Sequence, residues 1–381
     1  MVNDIKLRKK YIAEVSMKNN DYQWALGVAE KIYEKSKASA NRSVDKVPYL
    51  TENGIFDDWS DRISWWTNGF YGGLMWLMYN ATGKEAYKQT AIRQEELLDE
   101  AFKEGIELHH DVGFMWNLVS KPHYLFDGNT ASKSRTMLAA NLLAGRLNIK
   151  GGYISAWPHK PGYTIIDCMM NLPILYWLSK EINDDRFKYI AELHADMTVK
   201  CHIREDGSVA HITNHATDHN EFLGEILGQG YSDNSAWSRG QAWAIYGFLL
   251  SYINTDNQDY LDISKKTADY FIKEAEKSNW KVLTDFLAPK EPVYFDNSAA
   301  ACAACGMIEL YKIIKEEKYL EAAINILKAL EEDCIFDDSD QSILQNCMVS
   351  YSNGEECHLI YGDFFLTEAV MKLKNYEFLI W

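Results

Sequence analysis

The 381 residues carry a formal charge of −16 and are 47% hydrophobic and 13% aromatic, with 12 Trp and 23 Tyr. That length holds one large core or two ordinary ones, and the flat aromatic surface exceeds what packing alone recruits. The acidic balance, with no Lys/Arg run interleaved with aromatics, excludes a broad surface for phosphate backbones, so no nucleic-acid partner is expected.

From the start of the chain, "MVNDIKLRKKYIAEVSMKNN" lacks an apolar signal region, and no stretch reaches the roughly eighteen apolar residues of a membrane span, which predicts a cytoplasmic protein without a membrane partner. Periodicity of 3.6 residues then predicts helices near 21–39, 68–83, 85–103, 112–125, 131–147, 165–181, 185–201, 237–254, 259–275, 297–314, 318–333 and 360–375. Convincing strands are few, so the class is all-α. A weak repeat, "TGKEAYKQTAIRQEEL", "INDDRFKYIAELHADM", "NTDNQDYLDISKKTADYF" and "KEEKYLEAAINILKAL", joins a polar turn to an aromatic-led helix, each time after a more apolar one. Alternating apolar inner and polar-faced outer helices predict six hairpins closed into an (α/α)6 barrel, one domain over 1–381 with a short extension at about 1–20. The irregular connections at 40–67, 148–164, 202–236 and 276–296 are expected at one end of the ring, carrying the ligand chemistry. The seven cysteines are odd in number and mostly in apolar surroundings, which predicts reduced thiols and no disulfide.

Several residues stand out chemically. Asp167, in the apolar run "GYTIIDCMMNLPILYW", is predicted inside an inner helix, where a carboxylate either has its pKa raised or finds a dedicated partner; it is a candidate acid or a buried cap. Asp111, after two histidines in "HHDVGFMWN", reads as an N-cap accepting from the helix that follows, or as the second carboxylate of a glycoside-cleaving pair. In "SDNSAWSRGQAWAIYGF", Asp233, Asn234 and Ser235 already supply capping oxygens. Trp237, Arg239 and Trp243 are left free for a sugar face and a carboxylate, or for core packing and an ion pair. His211, His215 and His219 are spaced by four residues, but in a loop-like stretch that speaks against a metal site. "CAAC" at 302–305 lies in a small-residue helix and reads as packing, not redox chemistry.

Taken together, "WWTNGFYGGLMW", "HDVGF", "IIDCMMNLPILYW", "SDNSAWSRGQAWAIYGF", "DNSAAACAACGMIEL" and "LIYGDFFLTEAV" resemble the bacterial unsaturated glucuronyl hydrolases, glycoside hydrolase family 88, from about residue 20 to the C-terminus. The resemblance implies the same barrel, no metal or cofactor, and hydration of the vinyl ether in a 4,5-unsaturated uronic acid at the non-reducing end of lyase-generated oligosaccharides of glycosaminoglycan type. Its motifs place the general acid/base on Asp167 and the assisting carboxylate on Asp111. They place substrate contacts on Trp66, Trp157, His211, Gln229, Trp237, Arg239 and Trp243, with Trp65 competing for the Trp66 role. One departure concerns sulfated substrates, whose hydrolases carry serines and a lysine near the C-terminus; "QNCMVSYSNGEECHL" has no Lys or Arg and two adjacent glutamates, which predicts a preference for unsulfated or differently sulfated disaccharides. Unsaturated rhamnogalacturonyl hydrolases acting on pectin fragments, N-acylglucosamine epimerases and a non-catalytic uronate-binding module remain as alternatives, and the chain is expected as a monomer or homodimer.

Overall fold

The polar turns that repeat along the sequence share one backbone device. In the computed structural model, which describes residues 14–105, 107–375 and 380–381, five apolar helices end on a left-handed residue, Gly83, Gly128, Asn183, Asp256 or Lys315. The N–H of each returns to the carbonyl four residues back, so the chain reverses directly into the next helix. Most of the extension predicted at about 1–20 lies outside the described residues.

The inner helices are α2 (Phe70–Thr82), α4 (Val112–Asp127), α6 and α7 (Cys168–Asn171 and Pro173–Ile182), α9 (Ser238–Thr255), α11 (Asn297–Ile314) and α13 (Ile360–Leu373). Each touches the next, and α13 closes on α2. Outside lie α1 (Asn19–Arg42), α3 (Glu85–Leu98), α5 (Thr130–Ala144), α8 (Arg186–Cys201), α10 (Gln258–Glu276) and α12 (Glu317–Glu331). This is the (α/α)6 barrel. An inner helix has neighbours on every side, and α13 is buried along its whole length. An outer helix buries one stripe, as Tyr260, Ser264, Thr267, Phe271 and Ala275 show on α10. The alanines and cysteines of "AAACAAC" are fully buried on α11, and a Cβ on Gly306 would lie only 3.2 Å from the Tyr246 Cα, so small residues set this approach as expected. All seven cysteines are free thiols. Trp381 packs among the inner helices, parallel to Phe365 at 5.9 Å and edge-on to Phe114, and its Nε1–H donates to Glu368. No helix among the described residues is long and apolar enough to cross a membrane.

Two expectations are corrected. The helix predicted over 165–181 is broken: a strand leads to Asp167, α6 follows, and Pro173 opens α7, since a proline without an N–H suits a first turn better than an interior. The connection at 202–236, read as irregular, holds part of a sheet. The short strands are β1 (Thr51–Glu52), β2 (Ile55–Phe56), β3 (Leu147–Asn148), β4 (Tyr153–Ile154), β5 (Tyr163–Ile165), β6 (Ile212–His215), β7 (Phe222–Ile226), β8 (Cys347–Met348) and β9 (Glu356–Cys357). Antiparallel β5–β6–β7 pairs Ile165 with Ile212 and Ile212 with Ile226.

A buried polar box ties that sheet to α8. His202 donates from Nδ1 to the Ala210 carbonyl at 2.8 Å, so its Nε2 is an acceptor for the Thr164 and Thr213 hydroxyls at 2.8 and 3.0 Å. His215 Nε2 lies 2.9 Å from Thr213 Oγ1. Nearby, His194 Nδ1 accepts the Ile154 N–H. Burial pushes His202 down to about 3, His215 to about 4 and His194 well below the ordinary imidazole value, so all three are neutral. His215 therefore belongs to this box and His219 to the exposed hairpin tip beside Asp218 and Glu221. Four extended residues span roughly 13 Å, which keeps these imidazoles from converging with His211.

Candidate active site

The connections preceding the inner helices meet in an open-mouthed cavity of about 690 Å³, the solvent at its mouth included, lined by Tyr49, Trp65, Trp66, His109, His110, Asp111, Trp157, Ile165, Asp167, Gln229, Arg239, Val349 and Tyr361. Asp111, Asp167, Arg239 and Tyr361 stand at or beside the first residues of α4, α6, α9 and α13, so the cavity lies at the amino-terminal, partially positive ends of inner helices.

Asn171 ties the Asp111 carboxylate to the backbone at Asp167 and Phe114. Its Oδ1 accepts the Phe114 N–H at 2.7 Å, and its Nδ2 donates to Asp111 Oδ1 at 3.2 Å and to the Asp167 carbonyl at 3.1 Å. A Cβ on Gly113 would fall 2.6 Å from Asn171 Oδ1, so only glycine permits this crossing of α4 and α6. The cap expected from Asp111 is thus supplied by Asn171. Asp111 holds the N-cap position but makes no side-chain capping bond, which leaves its carboxylate to the cavity.

Asp111 Oδ1 lies 3.1 Å from His110 Nε2, and Oδ2 lies 3.4 Å from His109 Nδ1. Burial opposes ionisation of Asp111, but the charge of His110 beside it and the Asn171 amide outweigh it and hold the carboxyl below its ordinary value. His109 is pushed by burial down to about 4. His109, His110 and Asp111 are the one group among the described residues with nitrogen and oxygen donors close enough for a cation, and the His110–Asp111 pairing already employs the nearest two.

Asp167 is 8% exposed and is not inside a helix, as predicted, but at the N-cap of α6. Its Oδ2 faces His211 Nε2 at 3.4 Å. His211 Nδ1 accepts the Gln229 N–H at 2.9 Å, which places the ring proton on Nε2, toward Asp167. Trp237 stacks behind His211, ring centroids 4.1 Å apart, and Gln229 Nε2 donates to the Val349 carbonyl.

Of the residues singled out in the sequence, Trp66, Asp111, Trp157, Asp167, Gln229 and Arg239 line the cavity, with His211 and Trp237 directly behind its wall. Trp65 lines it too, so both members of the Trp pair take part. Trp243 does not: it is fully buried against Phe114 and Phe365, because its position on α9 points inward among inner helices. Of the two readings of Arg239, the structure matches the ion pair. It is 1% exposed, pairs with Asp296 at 2.6 Å, donates to Ser298 Oγ and to the Met348 and Val349 carbonyls, and lies over the rings of Trp237 and Tyr361. A buried guanidinium without such partners would be prohibitively desolvated, so most of its donors are committed within the protein. Sequence reading missed Tyr49, His109, His110, Ile165, Val349 and Tyr361. Tyr361 shares with Asp111 and Asp167 a place at the start of an inner helix, a usable signal, whereas Tyr49 and Val349 sit in connections without periodicity.

No protein-family model matches the chain. The chain is 30% identical over 350 residues to the unsaturated glucuronyl hydrolase of Bacillus sp. (strain GL1), across 87% of this chain and 92% of that protein. It is 30% identical over 333 residues to the unsaturated chondroitin disaccharide hydrolase of Streptococcus pneumoniae, across 83% of each. The crystal structure of the Bacillus sp. GL1 enzyme, described as responsible for the degradation of glycosaminoglycan, superposes with a TM-score of 0.84 at 28% identity, covering 93% of this chain and 97% of that one. A related structure bearing dGlcA-Glc-Rha-Glc superposes with a TM-score of 0.85 at 29% identity, covering 93% and 97%.

Proposed function

Since the chain belongs to the unsaturated glucuronyl hydrolases, it is a glycoside hydrolase, and we propose that it removes a 4,5-unsaturated uronic acid from the non-reducing end of lyase-generated oligosaccharides with Asp167 as proton donor and Asp111 as its ionised partner. Asp167 protonates C4 of the vinyl ether, and positive charge develops at C5 beside the ring oxygen. The Asp167 carboxylate then takes a proton from the water that adds at C5. The hemiketal opens, and the anomeric carbon releases the remaining saccharide. Asp111, held by His109, His110 and Asn171, accepts from the sugar hydroxyls. Trp65, Trp66 and Trp157 offer flat faces to the ring. Because Arg239 is already paired with Asp296, the amino-terminal ends of α4, α9 and α13 add to the local attraction for the uronate in a chain of net charge −16.

The observation that carries this reading is the convergence of Asp111 and Asp167 on one aromatic-lined cavity, with the Asn171 amide tying the Asp111 carboxylate to the backbone at Asp167. Loss of the near-ultraviolet absorbance of the conjugated alkene, followed over a panel of glycosaminoglycan- and pectin-derived disaccharides, tests it. Asp167→Asn should lower the rate by about 10²–10⁴-fold. A variant with undiminished turnover would remove Asp167 from the role, activity on the pectin fragment alone would favour the rhamnogalacturonyl enzymes, and sugar conversion with the alkene intact would indicate an epimerase.

The connection that carries Val349 also exposes Glu355 and Glu356. Their charge supports a preference for substrates that bring no sulfate near this exposed connection.

A further inference from the structure

Two adjacent histidines flank Asp111, and their surroundings separate them. His110 Nδ1 lies 2.9 Å from the Ala156 carbonyl, which only accepts, so that nitrogen carries a proton. In a neutral ring Nε2 would then be a bare lone pair, 3.1 Å from a carboxylate oxygen. Either Nε2 or Asp111 must be protonated for that contact to be attractive. Asp111 receives the Asn171 amide and sits at the amino-terminal end of α4, both of which favour its anion.

We infer that His110 is a positioning residue for Asp111: clasped at one ring nitrogen by the Ala156 carbonyl and set at the other against Asp111 Oδ1, it stands as an imidazolium and keeps that carboxylate ionised for the sugar. The inference rests on the proposed role of Asp111 and deepens it. His110 is 1% exposed, so its proton is held by fixed partners and not by solvent. Burial alone would drive the ring neutral; the charge of Asp111, 3.1 Å from Nε2, and the Ala156 carbonyl outweigh it and raise His110 above the ordinary imidazole value. The other groups around the pair do not replace this cation. His109 is neutral. The Cys168 thiol is raised by burial and stays protonated. Arg146 donates from Nε to the Ser155 carbonyl and touches Asp111 only through its field. Trp157 stands perpendicular to His110 at 5.6 Å and closes the cavity side of the pair. One of the two carboxylates is thereby kept charged while the other is left to exchange protons, the division of labour that acid/base chemistry in a shared pocket needs.

Long-range ¹H–¹⁵N correlation spectra of full-length protein labelled at histidine nitrogen test this without substrate. At about pH 7.5 His110 should show both ring nitrogens protonated, and Asp111→Asn should abolish that signature. His110→Gln keeps a donor toward Asp111 but removes the charge, so the acidic limb of its kcat/KM profile, measured in assays brief against unfolding, should move up by about one unit, about tenfold at a pH below the wild-type limb. A neutral His110 in the spectra, or a His110→Gln limb superimposed on the wild-type limb, overturns the inference. Because the spectra report without turnover, their failure is distinct from inactivity toward unsaturated uronides, which would instead refute the proposed reaction.

Discussion

Lowering the pH should undermine the β5–β6 sheet before it touches the carboxylate chemistry, and the buried polar box sets the size of the effect. His202 and His215 are held at about 3 and about 4 by burial, against an unfolded imidazole near 6.5. Below about pH 6.5 the unfolded chain binds protons that the folded chain refuses, so the stability these rings confer is present above that value and is lost as pH falls toward 3–4. By about pH 5 each ring has forfeited about 2 kcal/mol, about 4 kcal/mol together, a large part of a typical 5–15 kcal/mol total. His194, lowered still further, adds in the same direction. His110, whose value is raised, runs the opposite way: its contribution is fully present below about 6.5 and is lost as pH rises through its folded value. Asp363, raised by burial to about 7, also gains its proton on the folded side and opposes the trend, but His109 at about 4 joins the three, and the two opposing groups offset only part of the four. Urea midpoints followed by tryptophan fluorescence between about pH 7.5 and 5 should fall steadily, and His202→Gln should fall with a shallower slope than the parent. Midpoints that stay level or rise over this window, or a His202→Gln profile parallel to the parent, would refute the reasoning.

Asn171→Leu removes the acceptor of the buried Phe114 N–H and a donor to Asp111; leaving these groups unpaired should cost about 2–4 kcal/mol, with kcat falling more than the urea midpoint alone explains when assayed on folded protein by alkene absorbance. Glu355→Lys combined with Glu356→Lys should improve kcat/KM for a sulfated disaccharide severalfold relative to its unsulfated counterpart, since like charge is exchanged for opposite charge on the exposed connection that also carries Val349. An unchanged ratio of the two rates would show that this connection does not meet the sulfate.

The ring of six helical hairpins was legible along the chain because each inner helix must be apolar on nearly every face and each outer helix on one stripe, a contrast that survives in local periodicity, as α11 beside α12 shows. The polar turns were legible for a similar local reason, since a left-handed residue such as Gly83 or Asn183 closes each one. Asp111, Asp167 and the tryptophans stood out because carboxylates and surplus indoles are conspicuous in apolar runs.

What a side chain finally faces is set by partners far away in sequence, and periodicity holds no record of that. Arg239 is turned from an open cation into a paired one by Asp296 and by the Met348 and Val349 carbonyls. Trp243 is turned inward by Phe114 and Phe365. Asp111 is released from capping because Asn171, sixty residues on, takes the cap. Composition and local pattern determined which elements form and which residue types border them; only the closure of the ring, which brings the starts of separate inner helices to one mouth, decided which charges meet, which are neutralised and which remain for a substrate.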